Sequence, residues 1–110
     1  MILDTNALSA FIDGDQAVGE LLAGQAAAAI PVIALGEFRY GVAGSRNRTK
    51  YEAWLDDHLR DFEILSVTEA TAVVYARVRA ALKKTGHPIP ANDAWIAALA
   101  LEHGDRKSVG

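Results

Sequence analysis

The sequence predicts an α/β protein in which helices pack on both sides of a short parallel sheet. Short apolar runs of the kind found in buried strands alternate with longer segments whose apolar residues recur at helical spacing. Such alternation is typical of parallel sheets, because a helix must carry the chain back before the next strand can begin. With 110 residues, of which 51% are apolar and 23% charged, the chain has the size and composition of one globular domain, residues 1–110.

The first half of the chain is predicted to contain two strands and three helices. The opening apolar run stops abruptly at Asp4, as expected where a buried strand reaches its carboxyl end. The second strand is the less certain one from composition, since alanine is a poor strand former. The predicted strands are 1–3 and 26–30, and the predicted helices are 7–12, 15–22 and 33–40.

The second half is predicted to contain one strand and three helices. Trp54, Leu55 and Leu59 fall on one face of an amphipathic helix, and Thr68 is a suitable cap for a long helix that stops at Gly86. The prolines of 87–90 predict an extended connector before the last helix. The predicted helices are 49–62, 68–85 and 92–102, with a strand at 63–67 between the first two.

Composition narrows the class of protein further. No cysteine is available for a disulfide or a thiolate zinc site, and no apolar run reaches the ~18 residues that span a bilayer. We therefore expect a cytoplasmic protein that does not enter a membrane. The net charge of −3 mildly disfavours a nucleic-acid ligand, but two basic groups could each face phosphates or simply be solvated. These groups are Arg39, Arg46, Arg48 and Lys50, and Arg77, Arg79, Lys83 and Lys84.

Three carboxylates are predicted to meet at one edge of the sheet. Asp4 follows the first strand, Glu37 lies one turn into the helix after the second, and Asp93 lies in the first turn of the last helix. Ligand sites in open parallel sheets form at the carboxyl ends of the strands. Each residue alone has a simpler reading: Asp4 as a helix cap, Glu37 as a solvated residue, and Asp93 as an acid favoured by the helix dipole.

Gathered carboxylates repel one another unless a cation joins them. Hard oxygen ligands suit Mg²⁺ or Mn²⁺, ions that activate water and neutralise charge on a phosphodiester. Thr5 and Asn6 add a hydroxyl and an amide beside Asp4. The pattern therefore predicts metal-assisted phosphodiester hydrolysis. Phosphorylation of Asp4, as in a phosphoacceptor domain, is a weaker alternative because no matching downstream lysine context is present.

Three blocks of sequence resemble the PIN domain, in order and over nearly the whole chain. The blocks are Ile-Leu-Asp-Thr-Asn at 2–6, Ile-Ala-Leu-Gly-Glu-Phe-Arg-Tyr-Gly at 33–41, and Ile-Pro-Ala-Asn-Asp-Ala-Trp-Ile-Ala-Ala at 89–98. Within the PIN domain family, these blocks most resemble those of the bacterial VapC toxins.

That resemblance implies a three-layer α/β/α fold and a metal-dependent endoribonuclease toxin that hydrolyses RNA. It implies that Asp4, Glu37 and Asp93 are catalytic metal ligands for Mg²⁺ or Mn²⁺, assisted by Thr5 and Asn6. It also implies a VapB-type antitoxin partner and a homodimer. Arg39 and Arg46 are predicted to contact RNA phosphates.

The end of the chain departs from the family pattern. Family members continue into a final strand and a fourth acidic residue, whereas residues 104–110 are polar and do not read as a buried strand. Asp105 comes too early for the role of the fourth acid. We therefore expect the final strand to be missing and the activity to be weakened. The alternative function is a PIN-domain remnant with impaired catalysis that binds an antitoxin.

Overall fold

A computed structural model describes residues 1–23, 28–104 and 108–109 of the chain. The strands are β1 (Ile2–Leu3), β2 (Ala28–Pro31), β3 (Phe62–Leu65) and β4 (Ser108–Val109). The helices are α1 (Thr5–Ile12), α2 (Gln16–Ala23), α3 (Val32–Ala43), α4 (Arg48–His58), α5 (Glu69–Lys84) and α6 (Ala91–Glu102), and a single 3-10 turn, Leu59–Asp61, follows α4. The predicted alternation of strands and helices is confirmed.

The strands form one parallel sheet in the order β3-β2-β1-β4. In the register of the sheet Ile2 lies opposite Ala29 on one side and Ser108 on the other. The chain first moves outward from β1 to β2 and β3, and then returns to the opposite side of β1 for β4. Such a reversal opens a crevice at the carboxyl end of the central strand, where ligands bind in parallel sheets. Asp4 follows β1 directly and so lies at this crevice.

Side chains on the two faces of the sheet enter two separate apolar clusters. Met1, Leu3 and Ile30 pack with α1, α3 and α4 on one face, in a cluster that includes Leu8 and Leu55. On the other face, Ile2, Ala29 and Leu65 pack against Leu99 of α6. This alternation follows from the twofold period of a strand. The predicted three-layer α/β/α arrangement is thereby confirmed.

One part of the predicted fold needs correction: a final strand is present. Ser108–Val109 pairs with β1 in parallel, Ile2 opposite Ser108 and Leu3 opposite Val109. The polar composition of 104–110 argued against a strand. Pairing is made by backbone groups, however, and the exposed edge of β1 supplies unpaired partners whatever the side chains are.

Several boundaries differ from the sequence prediction for local reasons. Helix α1 begins at Thr5 instead of residue 7, since Asp4 caps it. Helix α3 continues through Gly41 to Ala43, and β3 begins one residue early, at Phe62. Pro31 is the last residue of β2, and α3 begins at the next residue, Val32. Residues 26–27 of the predicted second strand lie outside the described residues.

Helices α5 and α6 form an antiparallel pair. Near the start of α5, the Thr71 hydroxyl donates a hydrogen bond of 2.6 Å to Oε1 of Glu102, at the end of α6. Thr71 is fully buried, whereas most of α5 is exposed. Tyr75 stacks on Trp95 with ring centroids 3.7 Å apart. The stack packs Trp95 of α6 against α5, and α5 is fastened to the domain mainly through α6.

No helix within the described ranges is both long and apolar enough to cross a bilayer.

Replacing Thr71 with valine should lower the free energy of unfolding by about 1–3 kcal/mol, because Glu102 loses its buried donor and the Thr68 amide loses its capping acceptor. Urea denaturation measures this difference. Thr49→Val is the matched control, since Thr49 is exposed on α4 and should change stability little. Equal stability of the two variants would show that the Thr71–Glu102 bond does not hold the helix pair.

Candidate active site

The three predicted acidic residues line one cavity at the carboxyl edge of the sheet. This acidic cavity has a volume of about 330 Å³, and its lining residues are Asp4, Thr5, Asn6, Glu37, Asp93, Ile96 and Ala97. Asp4 comes from the end of β1, Glu37 from α3 and Asp93 from the first turn of α6. Thr5 and Asn6, predicted as supporting residues, lie in the same cavity. The fold thus brings together residues that are 89 positions apart in sequence.

Asp4 has a structural task in addition to lining the cavity. Its Oδ1 accepts a hydrogen bond of 2.8 Å from the backbone amide of Ala7, so it is the N-cap of α1. The simpler reading of Asp4 as a helix cap is therefore correct. The two roles are compatible, because a carboxylate has a second oxygen and this one is only half-buried.

The two carboxylate oxygens of Glu37 have different surroundings: one accepts a hydrogen bond, and the other has no partner among the described residues. Asn92 at the start of α6 donates a hydrogen bond of 2.8 Å from Nδ2 to Oε2 of Glu37. The other oxygen, Oε1, is buried and has no hydrogen-bond partner among the described residues. A buried carboxylate oxygen without a donor is costly, so such an atom calls for a ligand. Glu37 is therefore not the ordinary solvated residue of the simpler reading.

Asn92 was missed in the analysis of the sequence. It links α3 to α6 and fixes one oxygen of Glu37. The sequence did contain a signal for Asn92, since it directly precedes Asp93 within the PIN-like block at 89–98. An asparagine near a helix start is also a common cap, however, and only the fold shows that its amide reaches a residue 55 positions away.

The donor chemistry of the cavity fits a hard divalent cation. Its carboxylates, hydroxyl and amide are all oxygen donors, and Glu37 Oε1 lacks a partner. The described residues contain no group of three or more acidic or histidine side chains close enough to hold a metal ion directly. Mg²⁺ does not require such a group, because it usually keeps several waters and binds only one or two carboxylates directly.

A second, smaller cavity adjoins the acidic one. Thr5 and Glu37 line both cavities, and the second has a volume of about 200 Å³. Tyr51 and Asp13 also line the second cavity, and the Tyr51 hydroxyl donates a hydrogen bond of 2.8 Å to Oδ1 of Asp13, which joins α4 to the end of α1. This bond, desolvation and the charge of Asp13 raise the pKa of Tyr51. Neither Tyr51 nor Asp13 was predicted to be a site residue.

The two arginines predicted to contact RNA do not line the acidic cavity. Arg39 is exposed on α3, and Arg46 is exposed in the turn between α3 and α4. Their role stays a prediction. Asp105, which was not assigned a role, lies outside the described residues.

The fold and this acidic cavity define the class of protein. The profile of the PIN domain matches residues 1–107. The chain therefore belongs to the PIN domain family, as the three sequence blocks predicted.

Within that family the chain is similar to VapC proteins. It is 33% identical to Ribonuclease VapC4 from Mycobacterium tuberculosis, over 68% of this chain and 59% of that protein. It is 34% identical to Ribonuclease VapC2 from Rickettsia felis, over 74% of this chain and 61% of that protein. The chain thus spans about three fifths of the length of these curated relatives.

The crystal structure of VapBC2 from Rickettsia felis, bound to a DNA fragment from its promoter, has a similar fold. Its TM-score to this chain is 0.81 at 30% sequence identity, and the match covers 93% of this chain and 80% of that chain. The short parallel sheet and its flanking helices are therefore shared with a VapBC structure.

Changing Asp4 to alanine should lower the free energy of unfolding by about 1 kcal/mol, because α1 loses its N-cap. Asp4→Asn is the matched variant, since the amide oxygen keeps an acceptor for Ala7 while the charge is removed, and it should stay within about 0.5 kcal/mol of the unmodified chain. Chemical denaturation of the three proteins gives the comparison. Equal losses in both variants would mean that the carboxylate charge, not the cap, stabilises the protein.

The titration of Tyr51 should depend on Asp13. The raised pKa means that the hydrogen bond stabilises the fold fully below the ordinary tyrosine pKa, near 10, and that this contribution is lost as the pH rises through the raised value. Tyrosinate absorbance against pH, with the Tyr51→Phe curve subtracted, reports this group alone. Asp13→Ala should lower the midpoint toward 10, whereas Asp57→Ala, an exposed control on α4, should leave it in place.

Proposed function

We propose that this protein is a divalent-metal-dependent endoribonuclease of the VapC type. The observation that carries the proposal is the acidic cavity, in which Asp4, Glu37 and Asp93 lie together at the carboxyl edge of a parallel sheet. Membership of the PIN domain family and similarity to proteins named ribonucleases support it.

In this proposal Asp4, Glu37 and Asp93 hold Mg²⁺ or Mn²⁺ and are the catalytic residues. The unpartnered Oε1 of Glu37 is the atom most in need of a cation. When bound, the cation supplies Lewis-acid polarisation of the phosphodiester and a more acidic water. An all-oxygen donor set selects such hard ions over zinc.

Other side chains of the cavity orient these groups. Asn92 is a positioning residue, because its hydrogen bond to Oε2 directs the free oxygen of Glu37. Thr5 and Asn6 supply a hydroxyl and an amide next to Asp4, where they can bind a phosphate oxygen or a water. Arg39 and Arg46 would contact RNA phosphates outside the cavity.

The proposal includes a VapB-type antitoxin as partner, an assembly as a homodimer and action in the cytoplasm. The similar Rickettsia felis structure is that of VapBC2, which supports the partner. An antitoxin that inhibits the nuclease would have to neutralise or cover the acidic cavity, since that is where the proposed chemistry takes place.

Cleavage of a structured RNA tests the proposed function. The chain should cut the RNA with Mg²⁺ or Mn²⁺ and not with a chelator, and Asp4→Asn should lower the rate by at least about 100-fold because a metal ligand is lost. Asp4→Asn retains the helix cap, so unfolding does not account for the loss. Asp56→Asn is the matched control, an exposed acid on α4 that does not line the cavity.

Two results would contradict the proposal. Cleavage that persists in the chelator or in the Asp4 variant would place the chemistry elsewhere. A folded chain that leaves RNA intact with both metals, but binds a VapB-type peptide, would favour the antitoxin-binding remnant.

A further inference from the structure

Two segments of this acidic chain are rich in positive charge, and one of them contains most of helix α5. Residues 70–91 contain four cations, Arg77, Arg79, Lys83 and Lys84, and no carboxylate. Because the whole chain has a net charge of −3, the remaining residues carry −7. Helix α5 and the connector after it therefore present a local positive field that the overall charge conceals.

Two of these cations border a groove. It has a volume of about 500 Å³ and lies between the second half of α5 and the connector to α6. Arg79 and Lys83 are the charged lining residues, and Ala80, Leu82, Pro88 and Ile89 supply apolar walls. Arg77 and Lys84 do not line it, in agreement with the 100° step of an α-helix, which places them on another face of α5.

The described residues leave the charge at the groove without an acidic partner. Within the part of the chain that the structure describes, no carboxylate forms an ion pair with Arg79 or Lys83. Arg79 is held in place by a hydrogen bond of 2.9 Å from Nη1 to the Tyr75 hydroxyl, and its guanidinium lies 5.7 Å from the ring centroid. These contacts orient the guanidinium and leave its positive charge available to an anion.

The groove lies at the active-site end of the helix pair. Thr71 near the start of α5 bonds to Glu102 at the end of α6, so the two helices are antiparallel. The end of α5 is therefore beside the start of α6, where Asn92 and Asp93 lie. Ile89 in the groove precedes Asp93 by four residues, a span of at most about 14 Å.

We propose that this groove binds the sugar–phosphate backbone of single-stranded RNA on one side of the cut, with Arg79 and Lys83 as phosphate contacts. The inference rests on the proposed ribonuclease function. It adds the surface along which the RNA substrate lies next to the cut. Positive grooves that follow the backbone are how proteins bind single strands without sequence preference. The apolar walls can accommodate a ribose or a base. An RNA strand that leaves the acidic cavity at Asp93 reaches the groove next.

Charge reversal at two adjacent lysines tests the groove. A fluorescein-labelled single-stranded RNA is titrated with the protein in a chelator, so that no cleavage occurs, and anisotropy is followed at several salt concentrations. Lys83→Glu should weaken binding roughly three- to tenfold and reduce the slope of log K against log salt by about 0.7, the value for one phosphate contact on a single strand. Lys84→Glu makes the same charge change outside the groove and should weaken binding less than twofold.

A second pair of variants gives an independent comparison. Arg79→Gln should resemble Lys83→Glu, whereas Arg77→Gln should bind RNA like the unmodified protein. All four side chains are exposed, and thermal unfolding of each variant checks that the fold is intact.

The outcomes separate the groove from the nuclease. Equal effects at Lys83 and Lys84, or no RNA binding by the unmodified protein even at low salt, would overturn the groove. Metal-dependent cleavage with no effect of Lys83→Glu on RNA binding would also overturn it and leave the proposed function standing. Weakened binding in Lys83→Glu, without cleavage by any form of the protein, would support the groove and refute the nuclease. Poly-glutamate serves as a probe for an acidic protein partner. If Lys83→Glu weakened the binding of poly-glutamate and left RNA binding unchanged, the groove would be assigned to such a partner and RNA would be refuted as its ligand.

Discussion

Strand β1 is only two residues long, and its burial on both faces sets the geometry on which the site depends. Ile2 and Leu3 are completely buried, one in each apolar cluster, with a parallel strand on either side. A strand held in this way has no freedom to shift its register, because a slip of one residue would exchange the faces of both side chains. The residue that follows, Asp4, is therefore fixed at the crevice where the strand order reverses.

The acidic cavity exists because three elements that are held by apolar packing converge on that point. Buried residues of α3 and α6, such as Phe38 and Leu99, anchor the helices that carry Glu37 and Asp93. The hydrogen bond from Asn92 to Glu37 joins these helices across the cavity. Packing free energy thus holds the three carboxylates around one cavity. The buried Oε1 of Glu37 has no hydrogen-bond partner among the described residues, and a cation would relieve the cost of its desolvation.

Helix α5 illustrates how a weakly packed element can still be well placed. Only Thr71 of this helix is fully buried, and the Thr71–Glu102 bond together with the Tyr75–Trp95 stack fixes its direction against α6. Because α6 also carries Asp93, the direction of α5 is coupled to the acidic cavity. An exposed helix that makes few contacts with the sheet is free to carry charge, and α5 carries four of the eleven basic residues of the chain.

The sequence by itself determined the fold class, the order of the elements and the three acids of the cavity. These follow from local signals: apolar runs that end in an acid, helical periodicity, the Thr68 cap and the three PIN-like blocks. The tertiary structure alone decided the final strand, the partner of Glu37 and the place of the basic residues. Ser108–Val109 pairs through backbone groups that carry no side-chain signal, and Asn92 reaches Glu37 only because α3 and α6 meet. Which cations face a groove depends likewise on how α5 lies against its connector, a relation between distant segments that no local pattern contains.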